Sequence, residues 1–264
     1  MMMSASVSKY LSGSFALRGD VNRLKDAVNL VQNGLVPLIC IDVEAWERQS
    51  SKVTEVGIAI YDPASGPSLF PTIETTHLIV KEHLNMVNGR FVPDKKHQFN
   101  GAKSYVISQR EMAEFVRNSL LRFPRYAFVG HNFSGDVDWL RSLGINVPSD
   151  VPVIDVADIW QLSRNAGGTL HGVLEFLDIP HYNLHNAAND AYYTLLAALV
   201  ITDPKVRLKK GLDTYTEIKG LSKSQKRRQT FQKTTPTEQV TSGAALYHRL
   251  LAPPSTSTSS TNNN

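Results

Sequence analysis

The chain has 264 residues, 42% of them hydrophobic and 20% charged, enough to bury one substantial core with flanking extensions. A single cysteine, Cys40, excludes a disulfide framework or a cysteine-rich zinc site and fits a reducing compartment; no apolar run is long enough to span a membrane, and the first ten residues lack the regions of a signal peptide, so a soluble protein of the cytoplasm or nucleus is expected. The net charge of +4 is uneven, because residues 203–264 carry eleven Lys and Arg against four Asp and Glu, whereas residues 1–202 carry 17 against 20.

In chain order, Val21, Leu24, Ala27, Val28 and Val31 repeat at helical spacing and stop at Asn33-Gly34, which predicts one helix over 20–32 in an N-terminal extension, 1–35. An apolar run at 36–44 ending in Asp42-Val43-Glu44 predicts a strand buried on both faces, with Cys40 inside it as a hydrophobe rather than a nucleophile. Strands at 53–61 and 76–81 follow, separated by turn chemistry at 62–67, and suggest an antiparallel meander. Residues 82–105 are polar and read as a long ordered loop.

The texture then alternates. An amphipathic helix is predicted at 108–122 with Ser108 and Glu111 as a capping box, a strand at 126–130, a helix at 136–143, a strand at 151–156, and helices at 169–177 and 186–201. A meander feeding into such units implies an α/β fold, a mixed sheet of five strands with helices on both faces. From 203 to 264 the composition predicts a basic, low-complexity, disordered tail.

The chemistry lies in scattered acids. Side chains two apart on a strand project the same way, so Asp42 and Glu44 point together from the end of theirs. Two carboxylates at the rim of an apolar core repel each other unless a cation sits between them, although a solvated pair at a strand end is the commoner explanation of such a motif alone. The mildly acidic balance of residues 1–202 is what a cluster of metal-binding carboxylates gives before ions bind. Asp136 falls near a helix N-terminus, where a carboxylate can also simply cap, and Asp138 competes with it. His185 and Asp190 are five apart, about 140° on an ideal helix, so they aim at one point only if His185 precedes the regular helix with Asn186 as its cap. Ala187, Ala188 and Ala191 let that helix approach the sheet closely, where an unpaired acid is expensive.

Together these residues resemble the motifs of the DEDDh family of 3′–5′ exonucleases, in the ribonuclease H-like superfamily. Asp42 and Glu44 match Asp-x-Glu, Asn132 and Asp136 match Asn-x-x-x-Asp, and His185, Ala187, Asp190 and Ala191 match His-x-Ala-x-x-Asp-Ala, over a domain spanning 36–202. The stretches 41–47, 91–94 and 184–193 are similar to a fungal branch linked to messenger-RNA export, the Gfd type. Two positions depart from the family pattern: Ala45 stands where many members carry Thr, and Gly135 where an apolar side chain is usual.

The resemblance implies two divalent cations, Mg²⁺ or Mn²⁺, one held by Asp42, Glu44 and Asp190, the second bridged by Asp42 with Asp136 acting directly or through water. His185 would take the proton from the attacking water, releasing a nucleoside 5′-monophosphate. Val43, Ala45, Trp46, His131 and Asn132, which flank the first two motifs, are the candidate substrate-binding residues, with Trp46 able to stack on a terminal base, simple packing being an equal explanation of it. The expected substrate is single-stranded RNA or DNA, with ribonucleoprotein partners and no membrane partner. The rival is a catalytically silent nucleic-acid-binding adaptor of the same fold. His77, His171 and His181 lack carboxylates at ligand spacing and read as structural; Lys81, Arg90, Lys95 and Lys96 are able to grip phosphates, but a solvated loop face is the commoner explanation of such a set. The clusters at 205–210 and 223–228 suit nucleic-acid attraction or nuclear import.

Overall fold

Strand β1 (Leu38–Trp46) divides the molecule, because its side chains alternate between two apolar cores. Leu38 and Cys40 face one, Ile39, Ile41 and Val43 the other. The structure is a computed structural model and describes residues 5–65, 72–101 and 103–218. The sheet also contains β2 (Gln49–Tyr61), β3 (Ile73–Val80), β4 (Ser104–Ile107), β5 (Ala127–Gly130) and β6 (Val153–Asp155), in the order β4-β3-β2-β1-β5-β6. The meander β1-β2-β3 is antiparallel, and β5 and β6 add in parallel beyond β1.

Six strands form where five are expected. The extra one, β4, pairs in parallel with β3 from His77↔Ser104 to Val80↔Ile107, inside the segment read as loop. It is four residues long and three of them are exposed, so an edge strand here carries no alternation to read.

Helices cover both faces. On the Cys40 side lie α2 (Val21–Gln32), α5 (Val156–Ser163), α6 (Leu170–Phe176) and α7 (Ala187–Ile201), with α1 (Ala5–Leu11) packed through Val7. On the other lie α3 (Gln109–Leu121) and α4 (Ser134–Ser142). Helix α3 carries the expected box: the Ser108 hydroxyl accepts from Glu111 N, and the Glu111 carboxylate accepts from Ser108 N at 2.8 Å. Helix α5 goes unpredicted because it is only eight residues long, and its narrow polar face, Asp158 and Gln161, offers a single helical spacing to read.

The extensions also differ from expectation. The N-terminal one holds two helices, not one. Residues 203–218 are ordered, with α8 (Pro204–Lys210) ending at Gly211 in the left-handed conformation, φ +62°. Arg207, fully buried, donates to Asp213 Oδ1 at 2.8 Å, to the Tyr10 hydroxyl at 3.0 Å and to the carbonyls of Ile201 and Leu212. Composition counts that arginine as tail charge, whereas its partners neutralise it. Main-chain bonds from Ala16 N to Asp213 O and from Tyr215 N to Ala16 O then knit the two extensions together. The rest of the tail, including 223–228, lies outside the described residues. No described helix is long and apolar enough to cross a membrane.

Candidate metal centre

Asp42 and Glu44 share the strand face of Leu38 and Cys40, the face on which α7 lies. Across the ladder Asp42 pairs with Gly57 and Glu44 with Glu55, and register shifts on either side of Ala45 bend the strand where the motif ends. Gly57 is the position that admits the third motif. A Cβ there would lie 2.0 Å from the carbonyl oxygen of Ala187 and 2.3 Å from Ala188 N. With Ala187, Ala188 and Ala191 fully buried, the first turn of α7 rests on the strand backbone and delivers Asp190 to the carboxylates of β1. The alanines were legible as a close-packing surface; their glycine partner was not.

His185 precedes the helix, as the spacing requires, with φ +68°, a left-handed conformation that costs a non-glycine residue energy. Two bonds hold it: His185 N donates to Asp190 Oδ2 at 3.0 Å, and Asn186 caps α7 by accepting from Asn189 N at 3.2 Å. The result brings ligand atoms of Glu44, His185 and Asp190 within 4.8 Å of one another.

Asp136 arrives from the other side of the sheet. It sits in the first turn of α4, and its Oδ1 accepts from Val43 N at 3.1 Å, which puts it against the residue after Asp42. That bond accounts for Val43, whose side chain is buried in the core. Asn132 adopts φ +60°, a conformation asparagine tolerates. Asp155, the last residue of β6 and not among the expected site residues, holds that turn by accepting from Asn132 N at 3.2 Å and Phe133 N at 2.9 Å while it caps α5.

Four acids so placed oppose ionisation. Burial pushes Asp42 well above the usual carboxylate range, helped by Asp136 and Asp190, and pushes Glu44 up likewise, helped by Asp190 and Glu55. Burial raises Asp136 to about 7 against the N–H of Val43, and Asp190 to about 7 against that of His185. The His185 ring is held below its ordinary value by desolvation, then by Lys95. Among the described residues only two buried side-chain polar atoms lack a hydrogen-bond partner, and one is Asp190 Oδ1. An orphaned carboxylate oxygen among mutually repelling acids fits a hard divalent cation.

A buried network backs the site. Glu55 Oε2 meets His77 Nε2 at 2.9 Å, and the Asn186 amide donates to Glu55 at 3.3 Å and to the carbonyls of Lys95 and Lys96. His77 is therefore structural, but with a carboxylate partner that lies on the neighbouring strand. His171 and His181 pair with each other at 2.6 Å. Lys96 is not on a solvated face: it is 2% exposed and donates to the carbonyls of Leu84 and Met86.

The remaining candidates lie at the rim. Ala45 O accepts from the Asn88 side chain, and Trp46 Nε1 donates to Val87 O at 3.3 Å. His131 Nε2 meets Gly168 O at 2.7 Å, and His131 and Asn132 border a cavity of about 850 Å³ that opens beside the carboxylates rather than over them. Two of the arginines in that cavity are already engaged, Arg23 with Asp158 and Arg164 with main-chain carbonyls.

Residues 37–201 match the family model described as DNA polymerase III subunit epsilon-like, C-terminal domain. Among curated proteins, the chain is 32% identical over 231 residues to "Good for full DBP5 activity protein 2" of Saccharomyces cerevisiae, covering 75% of this chain and 41% of that one. It is 35% identical over 218 residues to uncharacterized protein YDR514C of the same yeast, covering 70% and 45%. The chain thus spans less than half the length of either relative. Among solved structures it is similar to the nuclease domain of 3′hExo, a DEDDh family member, bound to rAMP, at 11% identity and a TM-score of 0.44, over 67% of this chain and 94% of that one. The motifs and the family match coincide on the same stretch, and the chain belongs to the DEDDh family, in its Gfd-type fungal branch.

Proposed function

We propose that the chain is a metal-dependent 3′–5′ exonuclease that releases nucleoside 5′-monophosphates from single-stranded RNA or DNA. The observation that carries this reading is the meeting of Glu44, Asp190 and His185 within 4.8 Å, with one Asp190 oxygen left unpartnered. Asp42, Glu44, Asp136 and Asp190 are the residues that would hold two Mg²⁺ or Mn²⁺ ions. Bound there, the ions supply charge stabilisation at the phosphoryl oxygens and a more acidic attacking water.

The rest belongs to the chain. Asp190 has two tasks, since one oxygen fixes the backbone of His185 and the other is free for a ligand. His185, kept neutral by desolvation and Lys95, is ready to accept the proton of the attacking water. Asp136 ties the first motif to α4, so a strand end and a helix start share one geometry. Ala45, Trp46, His131 and Asn132 would border the terminal nucleotide, Val43, with its side chain in the core, would serve only through its main chain, and the catalytic unit would span 36–202, buttressed by the ordered parts of both extensions. Ribonucleoprotein partners are part of this proposal; the yeast relative's name ties that protein itself to full activity of DBP5.

The test is single-turnover digestion of 5′-labelled single-stranded RNA and DNA in Mg²⁺, Mn²⁺ or EDTA, beside Asp42→Ala and His185→Ala. A metal-dependent ladder shortening from the 3′ end, lost in Asp42→Ala, is expected. Strands that stay intact in every metal while still binding would sink the catalytic reading and leave a nucleic-acid-binding adaptor.

A further inference from the structure

The loop after β3 joins the first motif to the third. At one end the Glu47 carboxylate accepts from Arg90 N and Phe91 N, each at 2.9 Å, while Asn88 bonds both Glu47 N and Ala45 O. At the other, Asn186 donates to Lys95 O, Asn189 donates to Gln98 O, and Asn100 N donates to Asn189. A segment stitched this thoroughly is rigid, and yet it holds Phe91 64% exposed. The Arg90 guanidinium lies 4.8 Å from the centre of that ring, and Arg48 lies 5.8 Å from that of Trp46. Trp46 is fastened to the same loop through Val87 O.

Two ordered aromatic rings, Phe91 in the open and Trp46 half-buried, each with an arginine at its face, match a polymer that alternates planar bases with phosphates. We propose that Phe91, with Arg48 and Arg90, forms a stacking platform for the nucleotides of a single strand on the 5′ side of the scissile bond, continuous with Trp46 beside the terminal nucleotide. The proposal rests on the exonuclease reading for where the strand's end lies. Charge complementarity selects the occupant: the flanking cations are Arg48, Arg90 and Lys95, and the two neighbouring acids, Glu47 and Asp94, both accept from main-chain N–H groups. Rigidity also suits the task, because stacking on a preformed ring avoids the cost of ordering a loop on binding. An apolar protein partner would find two rings already faced by guanidinium groups.

The experiment is fluorescence anisotropy on the full chain in EDTA, using a 5′-fluorescein ten-nucleotide strand and an abasic strand of equal length. Phe91→Ala, Phe91→Leu and Arg90→Ala are compared with the parent, with thermal melts as the control for folding. Both Phe91 variants should weaken binding of the base-bearing strand by about 5- to 100-fold, the range that base–aromatic stacking commands, and the abasic strand by less than about twofold. Arg90→Ala should weaken both strands. Equal losses from Phe91→Ala on the two strands, or none on either, would overturn the platform. Single-turnover cleavage in Mn²⁺ separates the two readings. If the parent cuts nothing while the binding contrast persists, the exonuclease reading fails and the platform stands. If Phe91→Ala digests and binds the ten-nucleotide strand as the parent does, the platform fails and the exonuclease reading stands.

Discussion

Burial lifts Asp136 and Asp190 to about 7, and the sign of that lift sets how stability follows pH. An unfolded aspartate ionises near 4, so between about pH 4 and 7 the folded state holds protons that the unfolded state has released. Stability from these two acids is therefore fully present below about pH 4 and lost as pH climbs to about 7. His185, lowered by desolvation and Lys95, opposes them below about pH 6.5, but it is exposed and its contribution is screened. In EDTA the melting temperature should fall between pH 5.5 and 8, with a free-energy change on the order of a few kcal/mol. Asp190→Asn should flatten the profile, and Mn²⁺ should raise the melting temperature more at pH 8 than at pH 5.5. A profile that rises through neutrality in EDTA would contradict the burial of these acids. For His185→Ala, turnover should drop by about 10² or more with Mn²⁺ affinity retained, read by single-turnover kinetics and calorimetry. The five motif residues were legible because each carries its own local setting, a strand end, a helix start or a cap. Glu55 and Asp155 were not, because the partners that tie them to the site, His77 for one and Asn132 and Phe133 for the other, are 22 residues away or more.

The site is assembled by the approach of α7 to β2, and that approach is limited by one missing side chain. Gly57 lies opposite Asp42, and an added Cβ would meet the carbonyl of Ala187 at 2.0 Å. The obstacle is backbone, so nothing flexible can swing aside. Gly57→Ala must push the first turn of α7 off the sheet, carrying His185 and Asp190 away from Glu44. A cost of about 1–3 kcal/mol or more is expected from overpacking, with Mn²⁺ affinity falling by more than the loss of stability alone explains. Thermal melts and metal titration of one preparation check both. Gly135 provides the contrast, since a Cβ there meets nothing within 4 Å, and Gly135→Ala should be neutral or stabilising by up to about 1 kcal/mol. Nothing in the sequence separates these glycines, because the difference lies in which helix crosses which strand. The same limit applies to α5 and β4. Periodicity needs length, so an eight-residue helix and a four-residue edge strand pass unread, whereas the longer α2 and α3 declare themselves by their spacing and β1 by its unbroken apolar run.

At the scale of the molecule, the two extensions act as one brace. Arg207 gathers Asp213, the Tyr10 hydroxyl and two carbonyls around a guanidinium with no exposure, and the Asp213 main chain in turn receives Ala16 N. Burial, with Asp213 adding to it, raises the Tyr10 hydroxyl and keeps it a neutral donor to Asp213 Oδ1 at 2.7 Å. Removing the arginine leaves Asp213, 17% exposed, with only the Tyr10 hydroxyl and takes the guanidinium donor from the Ile201 carbonyl, which is more costly than losing a surface charge. Arg207→Ala should therefore cost about 3–5 kcal/mol, a drop of about 10 °C in melting temperature for a chain of this size. Neighbouring basic residues with solvated side chains, such as Lys205, should tolerate alanine within about 0.5 kcal/mol. A double variant, Arg207→Met with Asp213→Leu, should recover much of the loss, because the unpaired acid disappears along with its partner. If this segment were the solvated basic tail that its composition suggests, all three variants would melt together with the parent. Melts of the three proteins beside it decide between a brace and a tail.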